Sequence, residues 1–358
     1  MAIKQLMGIG LTALRSNVTA LSKPYKLNFA ITLWCQSRCL HCGIWQLKPK
    51  NELTIDEIRE FARKNNSFRW IELTGGEPFL RSDIVEIARA FRDSCSGLYI
   101  LTMPTNSLCR QELVVSKIRE MLELGIPKIS ITVSLDGYRE LHDRIRGVPG
   151  NYDRAIGIFK ALRELKKEYP NLFFVFGYTM TKLNEGQFDK TFQEVKKEIP
   201  DIRYNDFHMN VGQISSNYYH NENGSSVVPN GGEVAKEIEM VLQKRRFEMG
   251  IIPSIEEIFL KNLIYYAKTG NAPMKSRSLE ASLFLDSFGN VYPSIMWNRK
   301  ITNVREIEYD LAKVWHGSDA NDVREQISRG EEPKQWTACE AYQSIVGYVP
   351  SFIRAKRT

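Results

Sequence analysis

Between residues 27 and 210, short runs of apolar and β-branched residues alternate with longer runs of helical periodicity. That alternation constrains the fold more than any other feature of the 358-residue chain. Strand-like runs fall at 27–33, 70–74, 98–103, 128–134, 172–178 and 204–209. Helix-like runs fall between them at 54–64, 82–93, 111–124, 152–168 and 187–198. The first of these opens on Thr54 with Glu57 three residues on, the signature of a capping box. Repeated βα units build a parallel sheet, because a parallel neighbour is reached only through a long crossover. Right-handed crossovers curl such a sheet toward a barrel, and the six units here are too few to close one of eight strands. The expected fold class is α/β, a partial (β/α)6 TIM-like barrel that stays open.

The flanking segments read differently. Ile3, Leu6, Met7, Leu11, Leu14, Val18 and Leu21 fall at helical spacing, which predicts an N-terminal amphipathic helix within residues 1–24. Two readings fit it: a helix packed on the barrel, or a surface helix resting on a membrane or a partner. No clean signal-peptide cleavage pattern follows it, and no run of about 18 apolar residues predicts a transmembrane helix. The barrel core takes residues 25–212. Residues 213–275 hold a polar stretch at 215–232, rich in Asn, Gly and Ser, and then helical runs at 233–249 and 254–268. So long a loop in a compact domain suits an active-site cover. Residues 276–358 read as a small α+β extension. There, apolar runs at 281–285 and 290–295 flank Asp286-Ser287-Phe288-Gly289 as in a hairpin, and 310–347 is mostly helical in pattern.

The net charge is +7, spread along the chain rather than gathered in one long run. That balance favours acidic partners or substrates. No RNA-recognition signature or zinc finger accompanies it, so nucleic-acid binding is not expected. Of the cysteines at 35, 39, 42, 95, 109 and 339, three fall within eight residues. A disulfide framework disperses its cysteines, whereas a tight group of thiolates suits a metal or cluster and needs a reducing compartment. A cytoplasmic location is therefore expected.

The loop Cys35-Gln36-Ser37-Arg38-Cys39-Leu40-His41-Cys42 places three thiolates around one small centre. Structural zinc takes four protein ligands, and the next cysteine along the chain is Cys95. A [4Fe–4S] cubane on three thiolates keeps one iron open for another ligand. The spacing alone leaves a zinc or buried-thiol loop as the alternative. Position adds weight, because the loop follows the first strand and chemistry in βα barrels gathers at the strands' carboxyl ends. The second strand ends in Gly75-Gly76-Glu77-Pro78, the third in Pro104-Thr105-Asn106-Ser107, and the fourth in Ser134-Leu135-Asp136-Gly137. Taken singly, each is an ordinary βα turn. Together they put polar and glycine-rich segments on the same rim as the cysteines.

These motifs, with His142-Asp143-Arg144-Ile145-Arg146 downstream, closely resemble those of radical S-adenosylmethionine (radical SAM) enzymes over residues 27–210. The resemblance implies one [4Fe–4S] cluster on Cys35, Cys39 and Cys42, with SAM bound at the open iron. It implies that an electron from the cluster cleaves SAM to methionine and a 5′-deoxyadenosyl radical. That radical takes hydrogen from an unactivated C–H bond of a peptide, lipid or small metabolite. By the same resemblance Gly75, Gly76, Glu77 and Pro78 meet SAM's methionine amino group. Asn106, Ser134 and Asp136 surround its ribose and methionine moieties, and Arg146 pairs with its carboxylate. Arg146 has a second reading as a surface salt bridge. His41 stands where members usually carry an aromatic residue.

Further on, Phe288 to Ser294 and Trp336 to Tyr342 resemble the SPASM/twitch extension, whose cysteines hold an auxiliary iron–sulfur cluster. Here Ser294, Glu332 and Gln335 stand where cysteines belong and only Cys339 remains, so an auxiliary cluster is not expected. Cys95 and Cys109 read as core or loop residues, with a thiol hydrogen donor as a second reading of Cys109. His208, His220 and His316 lack ligand spacing and read as structural. The implied partner is a reducing electron donor such as an acidic flavodoxin or ferredoxin. The rival on the same fold is a cluster-holding electron-transfer or regulatory protein that does not cleave SAM. The intact Gly75–Pro78 segment and Arg146 argue against it.

Overall fold

The computed structural model describes residues 2–16, 19, 21–224 and 226–348. Helix α1 (Ala2–Arg15) precedes strand β1 (Lys26–Thr32), α2 (Ile55–Lys64), β2 (Trp70–Gly75), α3 (Ile84–Ser94) and β3 (Ile100–Thr105). Then come α4 (Gln111–Glu123), β4 (Lys128–Ser134), α5 (Arg139–Arg146), α6 (Asn151–Glu168), β5 (Leu172–Met180), α7 (Phe188–Glu198) and β6 (Phe207–Val211). Beyond a long irregular segment lie α8 (Gly231–Lys244), α9 (Ile251–Thr269), β7 (Ser282–Leu285), β8 (Asn290–Tyr292) and β9 (Thr302–Asn303). The chain closes with α10 (Ala312–Trp315), α11 (Ser318–Arg329) and α12 (Ala338–Val346).

One nine-stranded sheet, ordered β6-β5-β4-β3-β2-β1-β7-β8-β9, carries all of these strands. The six core strands are parallel and in sequence order, as the βα alternation requires. Strand β7 adds a seventh parallel strand on the far side of β1, with Lys26 opposite Ser282. The C-terminal hairpin thus extends the barrel's own sheet. Its turn is built by Asp286, whose carboxylate accepts from the backbone N–H groups of Phe288 (2.9 Å) and Asn290 (2.8 Å).

The strands have two different faces because side chains alternate along them. Leu27, Phe29 and Ile31 of β1 join Ile71 and Leu73 of β2 in the core beneath the helices. There Phe29, Phe61, Phe68 and Phe91 pack ring to ring at 6.2–6.4 Å. The opposite face is polar: Lys26 and Asn28 on β1, Trp70 and Glu72 on β2. Helix α12 covers it, with Lys26 Nζ donating to Gln343 Oε1 (2.9 Å) and Asn28 Nδ2 to Glu340 Oε1 (3.0 Å), while Tyr342 stacks on Trp70. The lysine is fully buried, and these acceptors supply the partners that a buried ammonium needs.

Two local features depart from the sequence reading. Helix α5 has no counterpart in the sequence pattern, because its eight residues, RELHDRIR, are too few and too charged to show a clear apolar stripe. It stops at Gly147 (φ 67°), a left-handed position that glycine adopts without strain. Strand β6 begins at Phe207 because Tyr204–Asp206 forms a 3₁₀ turn, fixed by Asp206 accepting from Arg203 N (2.8 Å). The N-terminal helix forms as expected, but most of its apolar stripe faces solvent: Ile3, Leu6, Met7, Leu11 and Leu14 are exposed. Val18 lies outside the described residues. None of the described helices is long and apolar enough to cross a membrane.

Candidate functional site

The site is assembled at the carboxyl ends of the strands, beginning with a seam between β1 and β2. Gly76 N donates to Thr32 O and Glu77 N to Trp34 O, both at 2.8 Å, so the pairing continues past the strands into the cysteine loop. This seam explains both glycines. A Cβ on Gly75 would lie 1.9 Å from Thr32 O, and one on Gly76 would lie 2.2 Å from Trp34 O. Gly75 also holds φ 130°, a backbone state that side chains disfavour.

The cysteine loop is clamped from the other side by the end of α5. Arg38 N donates to Arg146 O and Leu40 N to Ile145 O, each at 2.9 Å, and Ser37 Oγ reaches Arg146 O at 3.2 Å. A third clamp comes from the irregular segment after β6. Gly43 N donates to Tyr219 O (2.7 Å), Asn221 Nδ2 to His41 O (3.0 Å), and Tyr218 Oη bonds Thr74 Oγ1 (2.6 Å) and meets Gly75 N (3.3 Å). The polar loop therefore covers the rim.

Each thiol has a polar neighbour. Asn106 Nδ2 lies 3.5 Å from Cys35 Sγ, Ser37 Oγ lies 3.0 Å from Cys39 Sγ, and Arg146 Nη1 lies 3.7 Å from Cys39 Sγ. Cys42 Sγ sits 3.7 Å from Tyr219 O. Burial pushes the Cys35 and Cys42 thiols up to about 12. Among the described residues, no three of His, Cys, Asp and Glu are drawn tightly enough together to hold a single metal ion. A cubane takes one thiolate on each of three irons, which matches the number of thiols in the loop. The donor set of three thiols with one N–H donor set from Arg146 and one from Asn106 suits a polynuclear sulfide cluster better than a lone cation.

Behind the loop, Asp136 and Arg146 form a close ion pair, 2.7 Å between Oδ2 and Nε, without an aligned hydrogen bond. Asp136 is fully buried, and its Oδ1 accepts from Thr179 N (3.0 Å). Burial opposes its ionisation, yet the Arg146 guanidinium, helped by His41 and His142, holds the carboxyl below the usual range. Arg146 is accordingly buried and paired with Asp136, so a salt bridge forms, but in the interior and not at the surface. A guanidinium has five N–H donors, so this pairing leaves donors for a second carboxylate. Burial lowers both His41 and His142 to about 4, so both are neutral at pH 7.

Glu77 is fully buried, and it ties β2 to β3. Its oxygens accept from Asn106 N (2.6 Å), Thr105 Oγ1 (3.0 Å) and Phe79 N (3.3 Å). Burial raises its carboxyl to about 7 despite these bonds. Pro78 opens the short 3₁₀ turn that follows. Asn106 is in turn held by Asn151 Nδ2, which donates to its carbonyl (2.8 Å). Ser134 is half-buried as the last residue of β4, opposite Gly177.

Sequence reasoning missed Gln213, Tyr218, Tyr219 and Asn221. Gln213 is buried just past β6, and neither end of its side-chain amide has a partner, while its carbonyl accepts from Asn221. The only signal for this group was the unusual length of its loop. Of the remaining cysteines, Cys109 approaches the loop through Gln36 Nε2 (3.4 Å), and Cys95 is buried at the end of α3. Cys339 lies in the first turn of α12 on the polar face, with its thiol donating to Glu72 Oε1 (3.0 Å). Ser294 and Gln335 are hydrogen bonded to each other (3.2 Å).

A parallel partial barrel with a triad of thiols on its carboxyl rim defines a class of protein built to hold a cluster above a polar interior. Residues 29–195 match the radical SAM superfamily. Members bind a [4Fe–4S] cluster and SAM. The chain is 33% identical over 189 residues to the AdoMet-dependent heme synthase of Methanosarcina barkeri, covering 51% of this chain and 50% of that protein. It thus spans about half the length of that curated relative. Its fold is shared with Streptococcus suis SuiB bound to S-adenosylmethionine, at TM-score 0.58 and 17% identity, covering 89% of this chain and 72% of that one. Native anSMEcpe with bound AdoMet also matches, at TM-score 0.58 and 12% identity, covering 93% of this chain and all of that one.

Proposed function

We propose that this chain cleaves SAM reductively and uses the resulting radical to modify a C–H bond of a peptide, lipid or small metabolite. The observation that carries this reading is the position of Arg146, which touches both the Cys39 thiol and buried Asp136. A guanidinium fixed there offers its spare donors to an α-carboxylate beside the cluster loop. When bound, the cluster supplies the electron that splits SAM into methionine and a 5′-deoxyadenosyl radical.

The protein's own residues bind and orient. Cys35, Cys39 and Cys42 would hold the cluster. Gly75, Gly76 and Pro78 keep side chains away from the rim so that the backbone is open to SAM's amino group, while Glu77 braces that segment against β3. Asn106 and Ser134 supply polar contacts at the ends of β3 and β4, and buried Asp136 acts through Arg146, which it holds in place. Tyr218 and the loop around it exclude water from the rim. The electron donor we assign is an acidic flavodoxin or ferredoxin. Around the cysteine loop Trp34, Leu40 and Trp45 are exposed, Arg38, Lys48 and Lys50 are exposed beside them, and residues 33–51 contain no carboxylate.

The test is anaerobic reconstitution followed by dithionite and SAM, with 5′-deoxyadenosine measured by mass spectrometry. Formation of 5′-deoxyadenosine by the wild type, lost in Arg146→Ala, is expected. A protein that keeps its cluster and makes none would instead be an electron-transfer or regulatory protein on this fold.

A further inference from the structure

Helix α1 lies at the end of the sheet opposite the cysteine loop. Gln5 Nε2 donates to the carbonyls of Ser96 (3.2 Å) and Leu98 (2.9 Å), just ahead of β3. Gly8 faces the Arg69 guanidinium, just ahead of β2. Ala13 is buried with Leu21 and Tyr25, and Arg277 donates to the Ser16 carbonyl. One face of the helix is thereby committed to the barrel.

The other face carries the apolar stripe. Ile3 is 75% exposed, Met7 61%, Leu11 62%, Leu14 51% and Leu6 38%. Scattered surface hydrophobes are normal, but five large ones on a single 14-residue helix form a patch. Its charge is one-sided. Lys4 and Arg15 are exposed along the border of the stripe, and no Asp or Glu occurs anywhere in residues 1–51. Helix α12 packs beside α1, with Val346 against the same small cluster as Ile9.

An apolar stripe whose only charged neighbours along the helix are cations complements an anionic bilayer. The apolar side chains enter the boundary between headgroups and acyl chains, and the cations stay level with the phosphates. A second copy of this chain would instead set like charge against like. We propose that α1 docks the protein on an anionic lipid surface. The docked orientation turns the cysteine rim toward the aqueous side. The proposal is independent of the cluster chemistry.

The experiment is sedimentation of the full chain with vesicles of phosphatidylglycerol and phosphatidylcholine, or of phosphatidylcholine alone. The expected result is pelleting with the anionic vesicles, weakened by salt and reduced roughly tenfold or more in affinity by Met7→Glu with Leu11→Glu. Both residues are exposed, so circular dichroism should show an unchanged fold. If that pair does not fold, Lys4→Gln with Arg15→Gln carries the test, and is expected to lower the preference for anionic vesicles. No pelleting of the wild type, equal pelleting of wild type and variant, or an unchanged anionic preference would each overturn the proposal. So would a dimer that the Met7 and Leu11 substitutions dissolve.

Discussion

Arg146, at the carboxyl end of α5, joins two residues that the sequence keeps far apart in role: the buried Asp136 carboxylate at 2.7 Å and the Cys39 thiol at 3.7 Å. Removing the guanidinium would leave Asp136 charged and unpaired in the interior. Arg146→Ala should therefore lower unfolding stability by about 3–5 kcal/mol, the usual cost of breaking a buried pair. Arg146→Lys keeps a charge but not the planar fork, and should recover part of that stability while SAM cleavage stays impaired. Urea unfolding of the apoprotein separates the two effects from activity. Equal activity in the lysine variant would show that planar recognition plays no part.

The two glycines after β2 should tolerate no side chain. A Cβ at either position falls about 2 Å from a backbone carbonyl, as the 1.9 Å and 2.2 Å distances show, and backbone cannot yield as a flexible side chain does. Gly75→Ala and Gly76→Ala should each shift the β1–β2 seam and cost on the order of 1–3 kcal/mol. SAM binding by calorimetry on reconstituted protein should fall further than thermal stability does. A Gly76→Ala protein with unchanged SAM affinity would place the cofactor elsewhere.

The sequence made the barrel legible because each βα unit carries its own period and its own punctuation. Strand 128–134 coincides with the observed β4, and Thr54 caps α2 with Glu57 as read. Strand β7 was visible as half of a hairpin, but its pairing with β1 is a contact between residues some 250 apart that no local pattern encodes. The cysteine loop and the rim segments were legible as motifs. What holds them was not: Tyr218, Tyr219 and Asn221 sit in a polar loop with no periodicity, and α5 is mostly charged. The outward face of α1 shows the limit of periodicity, which finds a stripe but not the direction in which it points.

A pH effect follows from the Glu57 network. Its carboxylate caps α2, and it also accepts from Arg305 Nε (2.6 Å) and Tyr309 Oη (3.0 Å), tying α2 to the C-terminal region. The Arg305 bond, opposed by partial burial and aided by Thr54, lowers its ionisation from 4.5 to about 2. A depressed folded-state value means the stabilisation is fully present above the unfolded value and is lost as pH falls through the folded one. Glu57→Gln should melt at a lower temperature than wild type at pH 7, by the equivalent of about 1 kcal/mol. The gap should narrow between pH 4.5 and about 2. A gap that does not change across that range would remove the charge from the explanation.

The donor surface makes a kinetic prediction. Lys48→Glu with Lys50→Glu reverses charge beside the cysteine loop without touching the barrel core. Reduction by an acidic flavodoxin should slow roughly tenfold at low ionic strength, and the difference should shrink as salt screens the encounter. Stopped-flow reduction at several salt concentrations reads both. Dithionite reduction, which needs no protein docking, should be unchanged. A slowing that persists at high salt would point to a structural defect instead.

The cysteine loop itself gives the sharpest separation between metal and scaffold. Wild type should bind about four irons per chain, since three thiols hold one cubane. Eight tightly bound irons would show that the Ser294–Gln335 region holds a second. Cys39→Ala removes the thiol that faces Arg146, and should leave a folded protein that is poor in iron and makes no 5′-deoxyadenosine. The fold should survive because the core beneath the helices is built from strand residues such as Phe29, Ile71 and Ile131, none of which depends on the loop. Cys95→Ala provides the control. That thiol is buried at the far end of α3, 3.7 Å from the Asn65 carbonyl, so its loss should cost stability but not iron or cleavage. Wild-type cleavage by Cys39→Ala would overturn the assignment of the cluster. An unfolded Cys39→Ala beside a folded Cys95→Ala would instead mean that the loop's metal is structural.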